Sequence, residues 1–178
     1  RAGNITEADK IYLSILKNDE NDFDANHLHG LVLGQRKFHQ QAIVYYDRAY
    51  SQIKNNIELL NNYAISLRKL FNYQKCEELL LEAIGIDNTY ENSYINLSNC
   101  YATQGKYNES IEVLNNLRER DHNSNDITKR LINLYTSKYI QKKNKSDLNK
   151  CVELLDEFRF EDIKDVSWIN ISACAYLW

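Results

Sequence analysis

Residues 91–124 read ENSYINLSNCYATQGKYNESIEVLNNLRERDHNS, and the reading of this stretch decides the fold. Two amphipathic segments, SYINLSNCYATQ and YNESIEVLNNL, stand either side of a short turn around Gly105. Each places its larger apolar residues three and four apart, the spacing of one helical face. The stretch is therefore one complete helix–turn–helix unit.

Working outward, the same landmarks return every 34 residues. Gly30, Leu33, Ala42, Tyr46 and Ala49 become Ala64, Leu67, Cys76, Leu80 and Ala83 one period later, then Ser98, Tyr101, Ser110, Leu114 and Leu117. Tyr73 and Tyr107 open the second helices of two copies, with His39 at the same place in the first and Phe38 one residue early. A period of this length marks repeats that bury their apolar faces only against their neighbours. The small residue on each first helix marks a close approach to the second, where a bulky side chain would not fit.

The expected organisation is one array. Residues 1–22 form a half repeat with Ile5, Ala8, Tyr12, Ile15 and Leu16 on one face and a helix start near Thr6. Residues 23–56, 57–90 and 91–124 are full repeats. Residues 125–164 form a fourth whose second helix, LNKCVELLDEFRF, begins about seven residues late after a lengthened turn. Residues 165–178 open a fifth, with Trp168, Ile171, Ser172 and Ala175 on the repeat spacing.

Composition agrees with long helices. There is no proline and there are five glycines, so little interrupts helix interiors, and Asn and Asp close the turns. The net charge of −3 supplies no basic field for nucleic acid or anionic lipid, and no apolar run approaches the roughly 20 residues that cross a bilayer. With no methionine the chain holds no translation start, and it reads as a segment of a longer protein. The four cysteines, Cys76, Cys100, Cys151 and Cys174, lack zinc-like spacing and read as small buried packing residues, which points to a reducing, cytoplasmic compartment.

The signature, clearest in YINLSNCYATQGKYNESIEVL, resembles the tetratricopeptide repeat family. The resemblance implies an all-α, right-handed solenoid of about ten helices whose inner groove is lined by first helices. The family's usual terminal proline is missing, and Asn and Asp turns take its place. YINLSN and WINISA are also similar to the asparagine-bearing first helices of O-linked N-acetylglucosamine transferase superhelices. The opening AGNITEADKIYLSILKNDENDFDANHLHGL resembles arrays ahead of bacterial glycosyltransferases and sulfotransferases. In chaperone-binding repeats five residues clamp a carboxylate; Asn96 and Arg130 match two of them, while Asn61, Ile65 and Asp126 replace the others.

No catalytic constellation is present. His27 and His29 point to opposite sides of a helix, His39 and His122 lie at turns, and no phosphate loop or metal motif occurs. No cofactor and no metal are expected. The candidate binding residues are instead Asn62, Asn92, Asn96, Asn99, Arg130, Asn133 and Asn170, on the groove side of first helices. An Asn amide both donates and accepts, so it can hold a peptide backbone whatever its side chains. The insertion KYIQKKNKSDLNK is first a solvated turn, and second a contact for an acidic partner through Lys138, Lys142, Lys143 and Lys145.

Three functions follow. The first is a non-catalytic scaffold holding a protein, as an extended peptide or a partner helix, in its groove. The second is the substrate-recruiting arm of a bacterial glycosyltransferase or sulfotransferase. The third is a structural module that self-associates through open terminal repeats. Neither nucleic acid nor membrane is an expected partner.

Overall fold

A computed structural model describes residues 2–120 and 125–157. Within them the fold is an all-α helical-repeat solenoid of nine helices without a strand. The first helices of the repeats are α2 (Phe23–Gln35), α4 (Ile57–Lys69), α6 (Glu91–Thr103) and α8 (Asn125–Lys142), whose starts lie 34 residues apart. The second helices are α3 (His39–Gln52), α5 (Tyr73–Ile86), α7 (Tyr107–Arg118) and α9 (Lys145–Glu157), and α1 (Ala2–Asn18) precedes them all. The fifth repeat, with Asn170, lies outside the described residues, as do His122 and Cys174.

The turn inside each of the first three repeats recurs in atomic detail. Lys37, Phe71 and Gly105 have φ of 66°, 62° and 75°. The next residue's N–H bonds back to the first helix: Phe38 to Leu33 O, Asn72 to Leu67 O and Lys106 to Tyr101 O, at 2.9, 2.9 and 3.0 Å. This is the Schellman ending, in which a left-handed residue lets the chain reverse and recover orphan carbonyls. Only the third copy uses glycine, for which that backbone is unstrained. The turns between repeats use side chains in its place. Asp22 accepts from Ala25 N at 2.7 Å and Asn56 from Leu59 N at 2.8 Å, capping α2 and α4.

The chain divides into two compact units, one ending at Cys100 and one starting at Tyr101. In the first, Tyr46, Leu59, Leu60, Leu79 and Leu80 are almost wholly buried, each stabilising by about 1.5–3 kcal/mol relative to exposure. Gly30 permits this packing, because a Cβ there would lie 2.7 Å from Tyr46 Cε1. One repeat later the pair is Ala64 with Leu80. A smaller partner on the second helix accompanies a larger one on the first.

Two expectations need correction. Helix α1 starts at Ala2, not near Thr6, its first turn taking in the weak helix formers Gly3 and Asn4 ahead of a strongly periodic run. Its inner face is Ala8, Asp9, Tyr12 and Leu16, and Ile15 is 38% exposed. The carboxylate of Asp9 is buried because α2 brings it partners. Its oxygens meet His29 Nδ1 and Arg36 Nη1, each at 2.6 Å.

In the second unit Ile111, Leu114, Leu117, Ile127, Leu131 and Leu154 form the core. Here the lengthened turn proves to be a lengthened helix. Helix α8 runs 18 residues where α6 runs 13, and α9 starts at Lys145, four residues past the period rather than seven. The segment SKYIQK lacks glycine and proline and simply continues the helix. Lys138 on this extra length pairs with Asp147 of α9 at 2.7 Å, both side chains largely buried.

Candidate functional site

The first helices of the first unit are joined by amides. Asn62 of α4 donates its Nδ2 hydrogen to Nε2 of His27 on α2, 3.2 Å away. Asn96 of α6 donates to Oδ1 of Asn61 on α4, at 2.8 Å. Both bonds span 35 residues, so one relation occurs twice. Asn61 continues the second rung, donating to Ser93 Oγ and to Ile57 O, each at 2.9 Å.

Burial holds the His27 pKa below its ordinary value, against a smaller upward pull from Glu58 and Asp24. The neutral ring suits the rung, because an amide N–H needs the lone pair on Nε2. Phe23 and Tyr46 tilt against the same ring, at 6.0 and 6.3 Å between centroids. His27 is therefore fixed by α2 and α3 before α4 meets it.

The remaining candidates fall into three conditions. Asn92 and Asn133 are exposed and make no side-chain hydrogen bond among the described residues, while Asn99 is half-buried with partners of its own. Arg130 pairs with Asp126 on its own helix at 2.7 Å. Lys138 is held by Asp147, the Lys143 ammonium lies 5.4 Å above the Tyr139 ring, and Lys145 is exposed. Lys142 lines a groove of about 260 Å³ with Lys106, Tyr107 and Glu109. The four lysines thus do not form one patch on a loop.

Sequence reading missed the partners of the rungs: His27, Asn61 and Ser93. The usable signal was the doublet Asn61–Asn62, in which one residue reaches forward and the other back. It also missed Asp9, since a carboxylate on an apolar face looks like an interruption.

The described residues hold no group of three or more His, Cys, Asp or Glu placed to bind a metal ion. Cys76, Cys100 and Cys151 are buried free thiols. A hydrogen bond with Cys100, then burial, pushes the Cys76 thiol well up, and burial raises Cys151. Such thiols are poor nucleophiles. No helix among the described residues is long and apolar enough to cross a membrane. What the first unit offers is a set of polar first-helix side chains held in register by the two rungs.

Comparison with known proteins places this geometry. The family described as coatomer epsilon subunit matches residues 24–135, more than half of the chain. No curated protein matches. Among solved structures, MamA is similar with a TM-score of 0.71 at 17% identity, covering 88% of this chain and 91% of its own. A tetratricopeptide repeat protein from Parabacteroides merdae reaches 0.71 at 16% identity, covering 86% and 60%. YrrB, a tetratricopeptide protein with an unusual peptide-binding site, reaches 0.68 at 18% identity, covering 86% and 79%. The fold is that of tetratricopeptide repeats.

Proposed function

The chain belongs to the coatomer epsilon subunit family, and from that premise we propose that it is a non-catalytic protein-interaction scaffold, binding an extended peptide or a partner helix along its first helices. The family is that of a subunit, a chain that works within an assembly. The observation that carries the reading is the pair of rungs, Asn62 with His27 and Asn96 with Asn61. They lock α2, α4 and α6 side by side, so their outward polar atoms keep a fixed spacing. Asn62 and Asn96, the donors, each retain a second N–H and an amide oxygen for a peptide backbone, while Asn61 is buried with its amide fully used. Each bond of that kind contributes a net ~0.5–1.5 kcal/mol, so several in register are needed. The peptide-binding site of YrrB supports the same use of the fold.

Asn92 extends this surface in the first unit, and Arg130 and Asn133 form the corresponding positions of the second. Lys142 and Lys145 stand ready for acidic residues of the partner. The buried free thiols support a reducing, cytoplasmic setting.

The test is a photo-reactive amino acid placed singly at Asn92, Asn133, Val44 or Leu81, followed by identification of the adducts formed in cells. Val44 and Leu81 are exposed on second helices. Partner adducts at Asn92 and Asn133 are expected. Adducts confined to Val44 or Leu81 would overturn the reading.

A further inference from the structure

The two edges of the first unit carry opposite charge. At one edge lie the turns within repeats, residues 34–41 (GQRKFHQQ) and 68–76 (RKLFNYQKC). They contain Arg36, Lys37, Arg68, Lys69 and Lys75 and no Asp or Glu, with Arg36 paired to Asp9 of α1. At the opposite edge lie the turns between repeats; the first and third carry Asp19, Glu20, Asp22, Asp87 and Glu91, and the middle one, residues 53–56 (IKNN), carries Lys54, with the exposed Glu58 one helical turn further on. Antiparallel helices with short connections put all turns of one kind at the same end of the stack.

Helix dipoles explain part of this separation. Acids in the first turns of α2, α4 and α6 and Arg68 and Lys69 in the last turn of α4 are favourably placed. They do not explain why α3 and α5, which start at the basic edge, have no acid in their first turns. Nor do they explain the apolar residues exposed beside the charges.

At the basic edge Phe38 and Phe71 are 53% and 74% exposed; at the acidic edge Ile53 and Ile86 are 40% and 43% exposed. Each pair is separated by 33 residues, one repeat less one. The two edges therefore present the same spacing of apolar knobs, Phe38 and Phe71 beside basic residues, Ile86 beside Asp87, and Ile53 beside Lys54 with Glu58 one turn on. Lys37 and Lys69 make no ion pair among the described residues. Phe71 adds a left-handed backbone, φ 62°, to its exposure, an arrangement unfavourable for a bulky residue whose ring meets the edge of Tyr73, at 6.2 Å between centroids.

We infer that the basic edge of one chain docks on the acidic edge of a second copy, Phe38 and Phe71 meeting Ile53 and Ile86. The contact uses two different surfaces, so it leaves one edge free on each molecule and is open-ended. It is independent of the first-helix binding surface and can occur with that surface occupied.

Two charge-reversal variants of the full chain test this. Lys37→Glu/Lys69→Glu spoils the basic edge and Glu20→Lys/Glu91→Lys spoils the acidic one, and all four side chains are exposed. Sedimentation equilibrium is run from about 10 µM to about 1 mM at low salt, with circular dichroism confirming folding. The expected result is that wild type grows in mass with concentration and reverts to 21.0 kDa in about 0.5 M salt. Each variant alone stays monomeric, and an equimolar mixture regains association, the intact basic edge of one variant meeting the intact acidic edge of the other. Wild type that stays monomeric throughout overturns the inference, including where it binds anionic vesicles or an acidic protein instead. So does a variant that associates like wild type, or a mixture that stays monomeric while wild type associates. Phe71→Ser, which leaves every charge in place, is expected to weaken association at least fivefold.

Discussion

Asn96 donates an amide hydrogen to Oδ1 of Asn61 at 2.8 Å, and Asn62 stands in the same relation to His27. The donor side is the residue that sequence reading picks out as a ligand contact. The acceptor side is a neighbour on the preceding first helix. Asn61 makes three such bonds, so Asn61→Ala is expected to lower unfolding free energy by about 1–3 kcal/mol through orphaned partners. Asn92→Ala is expected to stay within about 0.5 kcal/mol of wild type. Urea denaturation followed by circular dichroism distinguishes the two.

Gly30→Ala puts a Cβ 2.7 Å from Tyr46 Cε1 and is expected to destabilise by about 1–3 kcal/mol through overpacking. Adding Tyr46→Leu recreates the Ala64–Leu80 pairing of the next repeat. Tyr46→Leu alone is itself destabilising. The double variant is therefore expected to be more stable than the two single effects summed, a coupling read by a double-mutant cycle.

The recurring left-handed turn predicts opposite effects of glycine by position. Lys37→Gly and Phe71→Gly relieve residues with φ of 66° and 62° and are expected to stabilise by about 0.5 kcal/mol each. Gly105→Ala, at φ 75°, is expected to destabilise by about 1 kcal/mol. Thermal melts of the three variants provide the check.

Burial lowers the pKa of His27 in the folded chain below its unfolded value of 6.5. The unfolded chain then binds more protons between the two values, so the contribution of His27 is fully present above pH 6.5 and declines as pH falls toward the folded pKa. His39 is shifted the same way, by burial and then by Lys69 and Arg68. Melting temperature is expected to fall between neutral pH and pH ~5. His27→Gln is expected to show a shallower fall, since its amide does not titrate.

Lys138→Met strands the buried Asp147 carboxylate and is expected to destabilise by about 3–5 kcal/mol, whereas Lys138→Met/Asp147→Leu is expected to recover most of that. Chemical denaturation of both variants, with attention to α8 and α9 by hydrogen exchange, checks the claim.

The helix pairs were legible because small and large residues alternate on a fixed spacing, and packing leaves that mark directly on sequence. The length of α8 was not. A lysine-rich run looks like a loop until Asp147 supplies Lys138 with a buried partner nine residues away. The asparagines were legible as polar positions of first helices. Their partners were hidden, because an amide that bonds to the next helix and one that awaits a peptide have the same residue type and the same periodicity.

The rungs also bear on how such a chain can change length. Asn62 and Asn96 are both donors facing backwards, and His27 and Asn61 both accept. Excising residues 57–90 would bring Asn96 opposite His27 with donor still facing acceptor. The bond from Asn61 to Ser93 would be lost, as would the partners of Asp47, His39 and Tyr50, namely Tyr63, Ser66 and Glu82. The close approach of Gly30 and Tyr46 would stay, since both belong to one repeat, although Tyr46 would lose the Tyr63 ring beside it. The joints share one connector, so a whole repeat can be lost or duplicated as an interchangeable part, whereas any shorter deletion mismatches every joint after it.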